Sequence, residues 1–316
     1  MAMKCILIEL KRMNKKTKIS LVLGSGAARG LTHIGVIRCL EDRDYEIKYI
    51  SGSSVGALVG GIYAAGELDV YVEWVKALKR RNIIRLLDIS FSRKSIFKGE
   101  KIIEVLKEII KDRTIEDLPI GFTAVATDIV EQKEVWLAQG SLFEAIRASI
   151  AVPMIFSPVQ YADRLLVDGG IINPVPIAPT LNDNTELTIA VALNGPLEIF
   201  ETEDKDDSNN DEEKIKNKYQ LGIEKLIDGM LLKGEADKNN NHDMGIFNLM
   251  TQSMDTMQSS ISRFKLAANR PDVVVEMPRN VCSWFDFDRA EELIEFGYMR
   301  AEESLKRYDE ISLRRK

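Results

Sequence analysis

The sequence predicts an α/β protein, with a three-layer α/β/α core around a mainly parallel sheet and a helical C-terminal extension. Two observations predict it. Short β-branched and leucine-rich runs alternate with segments whose apolar residues recur at helical spacing, the pattern that builds parallel sheets covered by helices. Two of the strand-to-helix junctions are rich in glycine, Gly24–Gly30 (GSGAARG) and Gly52–Gly56 (GSSVG), as tight turns require. The chain has 316 residues, 45% hydrophobic and 29% charged, enough apolar side chains for one sizeable core.

The elements follow in order. Lys18–Leu23 (KISLVL) reads as a buried strand, and Leu31, Ile34, Ile37 and Leu40 after the first glycine loop mark a helix. Tyr49–Ser51 is a second strand, with a small-residue helix over Ala57–Ala65 behind the second loop. Helices are expected over Val70–Leu87 and Glu100–Lys111, strands over Phe122–Thr127 and Glu134–Ala138, and a serine-capped helix over Ser141–Ile150. Leu165–Val167 leads into Asp168-Gly169-Gly170, and Leu187–Leu193 is a further buried strand. The run Glu201–Glu213 (ETEDKDDSNNDEE) is acidic and free of apolar residues, a solvent-exposed loop by composition. Lys214–Lys233 and Met244–Asn269 are helical patterns, Asp272–Glu276 (DVVVE) returns to the sheet, and Asp288–Tyr308 is a terminal helix. The organisation expected is a tail over residues 1–16, the core over 17–195, an acidic loop with a connecting helix over 196–243, and an extension packed on the core over 244–316. Met244–Asn269 is rich in methionine, which suits either a helix packed on the sheet or a lid over a cleft.

A net charge of −6 disfavours general nucleic-acid binding, which wants a basic face. The three cysteines, Cys5, Cys39 and Cys282, are far apart and make neither a disulfide framework nor a zinc spacing. The N-terminal apolar run is short and interrupted by Glu9, unlike a secretory leader, and no stretch reaches the ~20 apolar residues of a membrane span. A cytoplasmic protein is expected, with peripheral membrane contact left open.

Chemistry concentrates in three places. In Gly52-Ser53-Ser54-Val55-Gly56 a serine stands between strand and helix with a glycine two residues to each side, the nucleophile-elbow pattern. The helix N-terminus beside it favours developing negative charge. A histidine triad is not available to Ser54: of the two histidines, His33 precedes it and His242 lies in a polar run. The base must be a carboxylate or a lysine, and Asp168, ending an apolar run beside Gly169 and Gly170, is the best placed; a plain Asp-Gly turn is the alternative. The third place, Gly24–Gly30, can aim several backbone N–H groups at one point, with Arg29 adding fixed charge. Both nucleotide readings of this loop fail: Leu31-Thr32 stands where a phosphate loop needs Lys-Ser/Thr, and the next strand runs into Gly52 rather than an acidic residue. No metal constellation is visible and no cofactor is implied.

These elements in this order resemble the patatin-like phospholipase family: Ser25–Gly30 (SGAARG), the elbow Gly52–Gly56, and Asp168–Gly170. The run LGSGAARGLTHIGV with ISGSSVGALVGG is similar to the bacterial, RssA-type branch related to the catalytic domain of neuropathy target esterase. The likeness continues through AIRASIAVPMIFSP and LVDGGIINPVP, and more weakly through Pro271–Gly297. The resemblance implies a Ser–Asp dyad acting on lipid or other acyl esters, with Ser54 as nucleophile and Asp168 as general base. It also implies an oxyanion hole at Gly26, Ala27 and Ala28. Arg29 would orient the loop or meet an anionic head group, and His33 would serve packing. Ser25 and Ala27 stand where the family often has glycine; alanine presents its N–H as glycine does when φ stays negative. A catalytically weak lipid-binding or regulatory protein on the same fold is the competing reading.

Overall fold

The computed structural model describes residues 16–79, 95–97, 99–199 and 246–314. The chain divides into two compact units, one combining 1–197 with 258–316 and the other spanning 198–257. The sheet, the candidate site and the cavity described below belong to the first.

In chain order the elements are β1 (Thr17–Leu23), α1 (Thr32–Asp42), β2 (Tyr45–Ser53), α2 (Val55–Ala64), α3 (Leu68–Lys76), β3 (Ser95–Phe97) and α4 (Glu100–Ile109). Then come β4 (Gly121–Asp128), β5 (Lys133–Leu137), α5 (Leu142–Ser149), β6 (Met154–Phe156), β7 (Val159–Tyr161), β8 (Arg164–Asp168) and β9 (Leu187–Gly195). The last three are α6 (Ile246–Asn269), β10 (Val273–Pro278) and α7 (Ala290–Arg314). The main sheet has the order β10-β9-β1-β2-β4-β8-β7, with β5 also on β4. Its β10-to-β4 portion is parallel; β5 and β8 run antiparallel to β4, and β7 antiparallel to β8.

Alternation along β1 explains why apolar residues fall on both of its faces. Ile19, Leu21 and Leu23 join the larger core cluster, whereas Val22 joins Val175, Ile177, Ala190 and Ala192 in a second one. A strand buried on both faces has no polar side to show. The serine cap expected for α5 is present: Ser141 Oγ accepts from the Glu144 N–H at 3.2 Å.

Several boundaries differ from expectation. The second strand starts at Tyr45 rather than Tyr49, because Tyr45 and Glu46 pair with Thr17 and Lys18 despite their polarity. The helix expected over Val70–Leu87 runs from Leu68 to Lys76, and residues 80–94 lie outside the described residues. The short strands β6 and β7 were not expected; three residues carry too little periodicity to announce a strand. The acidic run 201–213 and the helix expected over 214–233 also lie outside the described residues. In the C-terminal segment the return to the sheet expected at Asp272–Glu276 is present, as β10 pairs with β9. There α7 lies on α1 so closely that a Cβ on Gly35 would stand 1.9 Å from the Ile294 carbonyl oxygen, and one on Gly297 2.1 Å from that of Thr32.

Candidate active site

Strand registers bring Ser54 and Asp168 together. Ser53, the last residue of β2, lies opposite Val125 on β4, and Asp168, the last of β8, lies opposite the next residue, Ala126. A Cβ on Gly169 would stand 2.8 Å from Ser53 Oγ and 2.0 Å from the Val125 carbonyl oxygen, so the ends of β2 and β8 abut. Glycine is therefore a steric requirement at this junction. The same holds at the elbow, where a Cβ on Gly52 would meet the Ala57 nitrogen at 2.5 Å and one on Gly56 the Leu23 carbonyl oxygen at 2.1 Å. Between those glycines Ser54 adopts φ 55 and ψ −125, a region that side-chain-bearing residues rarely occupy.

A relay missed by sequence reasoning holds this strained residue. The Ser54 N–H donates to Ser149 Oγ at 2.9 Å, and the Ser149 hydroxyl donates to the Val125 carbonyl at 2.6 Å. Ser149 ends α5 and is fully buried. Nothing in its local sequence distinguishes it from a serine closing any helix; only the fold joins it to the elbow.

Asp168 is 1% exposed. Its Oδ1 accepts from the Gly170 N–H at 2.7 Å, its own N–H donates to the Ala151 carbonyl at 2.9 Å, and Thr127 Oγ1 donates to its carbonyl at 2.9 Å. Burial pushes its carboxyl up to about 7, against the opposing pull of the Ser54 hydroxyl and the Gly170 N–H. Ser54 thus lies within interaction range, yet Oδ2 has no partner in hydrogen-bonding geometry among the described residues. The pair is close but not closed, a frequent condition of catalytic hydrogen bonds in the absence of substrate. A Cβ on Gly170 would collide with Ser25 Oγ at 2.6 Å and Gln258 Nε2 at 2.8 Å, so the loop after Asp168 is gripped from two sides.

The glycine loop leaves β1 and winds into a short 3-10 turn, Ala27–Leu31. Ala27 sits at φ 50, so the condition of negative φ is not met; the left-handed region costs a residue with a Cβ about 1 kcal/mol. The N–H groups of Gly26 and Ala27 have no partner among the described residues, whereas that of Ala28 donates to the Trp284 carbonyl at 3.2 Å. Ala28, expected in the oxyanion hole, therefore has its donor engaged elsewhere. The expectation of an anion-binding Arg29 is also corrected. Its side chain is 1% exposed, with Nε donating to the Gly26 carbonyl at 3.1 Å and Nη1 to the Arg279 carbonyl at 3.0 Å. It orients the loop from within. His33, expected as packing, does more: its Nε2–H donates to the Gly24 carbonyl at 2.8 Å, and burial holds its pKa down at about 4, so the ring is neutral near pH 7.

From Gln258 onward α6 covers the Asp168-Gly169-Gly170 loop. Asn194 Nδ2 donates to Gln258 Oε1 at 3.4 Å, and Lys265 pairs with Glu134, which accepts from Asn173 Nδ2 at 2.8 Å. Met250, Met254 and Met257 of the same helix belong to the other unit. Ser54 also borders a cavity of about 120 Å³, lined by Ala27, Leu58, Tyr71, Trp74, Phe156 and Trp284 among others. Its walls carry no charged side chain among the described residues. Among those residues there is also no cluster of acidic, histidine or cysteine side chains fit to hold a metal, and no helix long and apolar enough to cross a membrane.

Comparison with known proteins gives the relatives of this chain. The model of a family described as patatin-like phospholipase matches residues 21–181. An uncharacterized NTE family protein of Mycobacterium tuberculosis is 37% identical over 341 aligned positions, covering 94% of each chain. Human patatin-like phospholipase domain-containing protein 6 is 31% identical over 192 positions, which are 58% of this chain and 14% of that one. The crystal structure of VipD from Legionella pneumophila aligns with 93% of this chain and 67% of its own at 15% identity, with a TM-score of 0.46.

Proposed function

The chain belongs to the patatin-like phospholipase family, and from that premise we propose that it is a serine acyl hydrolase cleaving lipid acyl esters, of phospholipase A or lysophospholipase type, through a Ser54–Asp168 dyad. One observation carries the reading: Ser54, on a strained elbow, has a buried carboxyl with a pKa of about 7 beside it and borders an apolar cavity. A base that titrates near neutrality combines a useful ionised fraction with real basicity, and an apolar cavity fits an acyl chain.

In this mechanism the Asp168 carboxylate takes the proton from Ser54 Oγ as Oγ bonds to the ester carbon. The carbonyl oxygen becomes an oxyanion facing the N–H groups of Gly26 and Ala27. Collapse breaks the carbon–oxygen bond to the alcohol, which leaves with the proton from Asp168. Water then attacks the acyl-Ser54 ester, giving one proton to Asp168; Ser54 recovers it on departure and the fatty acid is released. No histidine is required, because in this reading Asp168 takes the proton from the nucleophile directly.

The test is p-nitrophenol release from butyrate and palmitate esters by the wild type, Ser54→Ala and Asp168→Asn. The wild type turns over, and each variant, still folded by circular dichroism, loses about a thousandfold or more in kcat/KM. A wild type inert on these esters and on phospholipid vesicles, or a Ser54→Ala protein of full activity, overturns the reading.

A further inference from the structure

The cavity beside Ser54 has one unusual wall residue. Tyr71, on α3, is 2% exposed and stacks at a tilt on Trp74, with ring centroids 5.8 Å apart. Its hydroxyl has no hydrogen-bond partner among the described residues, and burial alone acts on its pKa, raising it. The sealed, unpartnered polar atoms of the molecule include the hydroxyls of Ser25, Ser51 and Ser53 but not that of Tyr71. The Tyr71 hydroxyl therefore meets open space, and the space that Tyr71 borders is the cavity. Phenylalanine would build the same apolar wall without an unmet hydroxyl, which costs stability wherever it is buried.

Which part of the ester enters the cavity follows from the base. The leaving alcohol collects its proton from Asp168, and Asp168 does not line the cavity, whereas Ser54 does. The acyl chain is left to occupy it. With no charged side chain among the described lining residues, the wall suits a neutral oxygen rather than a second carboxylate.

We propose that the Tyr71 hydroxyl donates a hydrogen bond to an oxygen atom borne on the acyl chain, so that the cavity selects oxygenated chains (hydroxy, oxo or epoxy) over plain ones. The assignment of the acyl side rests on the hydrolase reading; the binding preference itself is measured without turnover. The experiment uses Ser54→Ala protein and displacement of a fluorescent fatty acid by stearic acid and by hydroxystearic acids carrying the hydroxyl at successive positions. At least one position binds about three- to tenfold more tightly than stearic acid, the size of one neutral hydrogen bond. Adding Tyr71→Phe brings that ratio to about one; if that protein fails to fold, Tyr71→Met removes the same hydroxyl. A flat series in the Tyr71 protein, or an equal preference without the hydroxyl, overturns the proposal. Failure of the hydrolase reading shows separately, as absence of ester turnover by the protein with Ser54 intact.

Discussion

The seam between α1 and α7 and the junction between β2 and β8 are built on opposite terms. At the seam two glycines let the helices touch backbone to backbone, and Leu293, Ala301 and Leu305 are buried against the core cluster. Its rim is satisfied by Arg43 with Asp309 at 2.6 Å and by Tyr298 Oη donating to Asp42 at 3.0 Å. At the junction Ser54 and Ala27 carry positive φ, and Asp168 Oδ2, Ser53 Oγ and Ser25 Oγ are sealed without partners. Close packing along the seam sustains strain at the junction, where the proposed reaction requires it.

The largest break in this contrast comes at the seam. Gly297→Leu forces α7 off α1 and costs about 3 kcal/mol or more, read as loss of the cooperative urea transition or of soluble expression. A midpoint equal to wild type would mean that the seam is slack. Next is Ser149→Ala, which leaves the Ser54 N–H without its acceptor and removes a donor from the Val125 carbonyl. Stability falls by about 2 kcal/mol and kcat by tenfold or more with KM little changed, since the elbow loses its anchor rather than its pocket. Equal kcat would show that strain alone does not set the position of Ser54.

Asp168→Asn sharpens the comparison through pH. The carboxyl titrates at 3.8 unfolded and at about 7 folded, so between these values the native state keeps a proton that the unfolded state has lost. Wild-type stability therefore falls as pH rises through that window, and the cost of the buried carboxylate is fully present at pH 8. Removing the charge raises stability there by on the order of 4 kcal/mol, with the gain vanishing near pH 4. His33 acts with the opposite sign: its pKa drops from 6.5 to about 4 on folding, so stability falls as pH drops through that range. The two slopes oppose each other in the wild type, and the Asn variant exposes the acid sensitivity of His33. The smallest effect is that of Ala27→Gly, which relieves the left-handed residue and adds about 1 kcal/mol in thermal or urea unfolding. A loss of stability would show that φ 50 is not strained in this loop.

The two regions also differed in legibility. The elbow and the Asp-Gly-Gly turn were plain in sequence because their glycines answer local steric demands, such as the Gly56 approach to Leu23. The strand-helix alternation of β1, α1, β2 and α2 was equally local. The role of Gly35 and Gly297 was not legible, for each is an ordinary helical glycine until a partner 262 residues away in the chain closes on it. Ser149 and Tyr71 were hidden for the same reason. Arg29 was noticed but misassigned in part, because a cation beside a glycine loop reads as an anion site until its donors are seen spent on the carbonyls of Gly26 and Arg279. Whether Ala27 keeps a negative φ was not legible either, because the turn geometry, not propensity, sets its φ of 50.

The central claim is that Asp168 activates Ser54 directly. The most direct test is the rate at which a fluorophosphonate modifies the protein as a function of pH, with the modified residue located by peptide mass spectrometry. The account predicts labelling at Ser54, a rate that rises with pH to a plateau with a midpoint near 7 as Asp168 ionises, and its loss in Asp168→Asn. Labelling at another residue, or at Ser54 with a rate independent of pH and of Asp168, would contradict it.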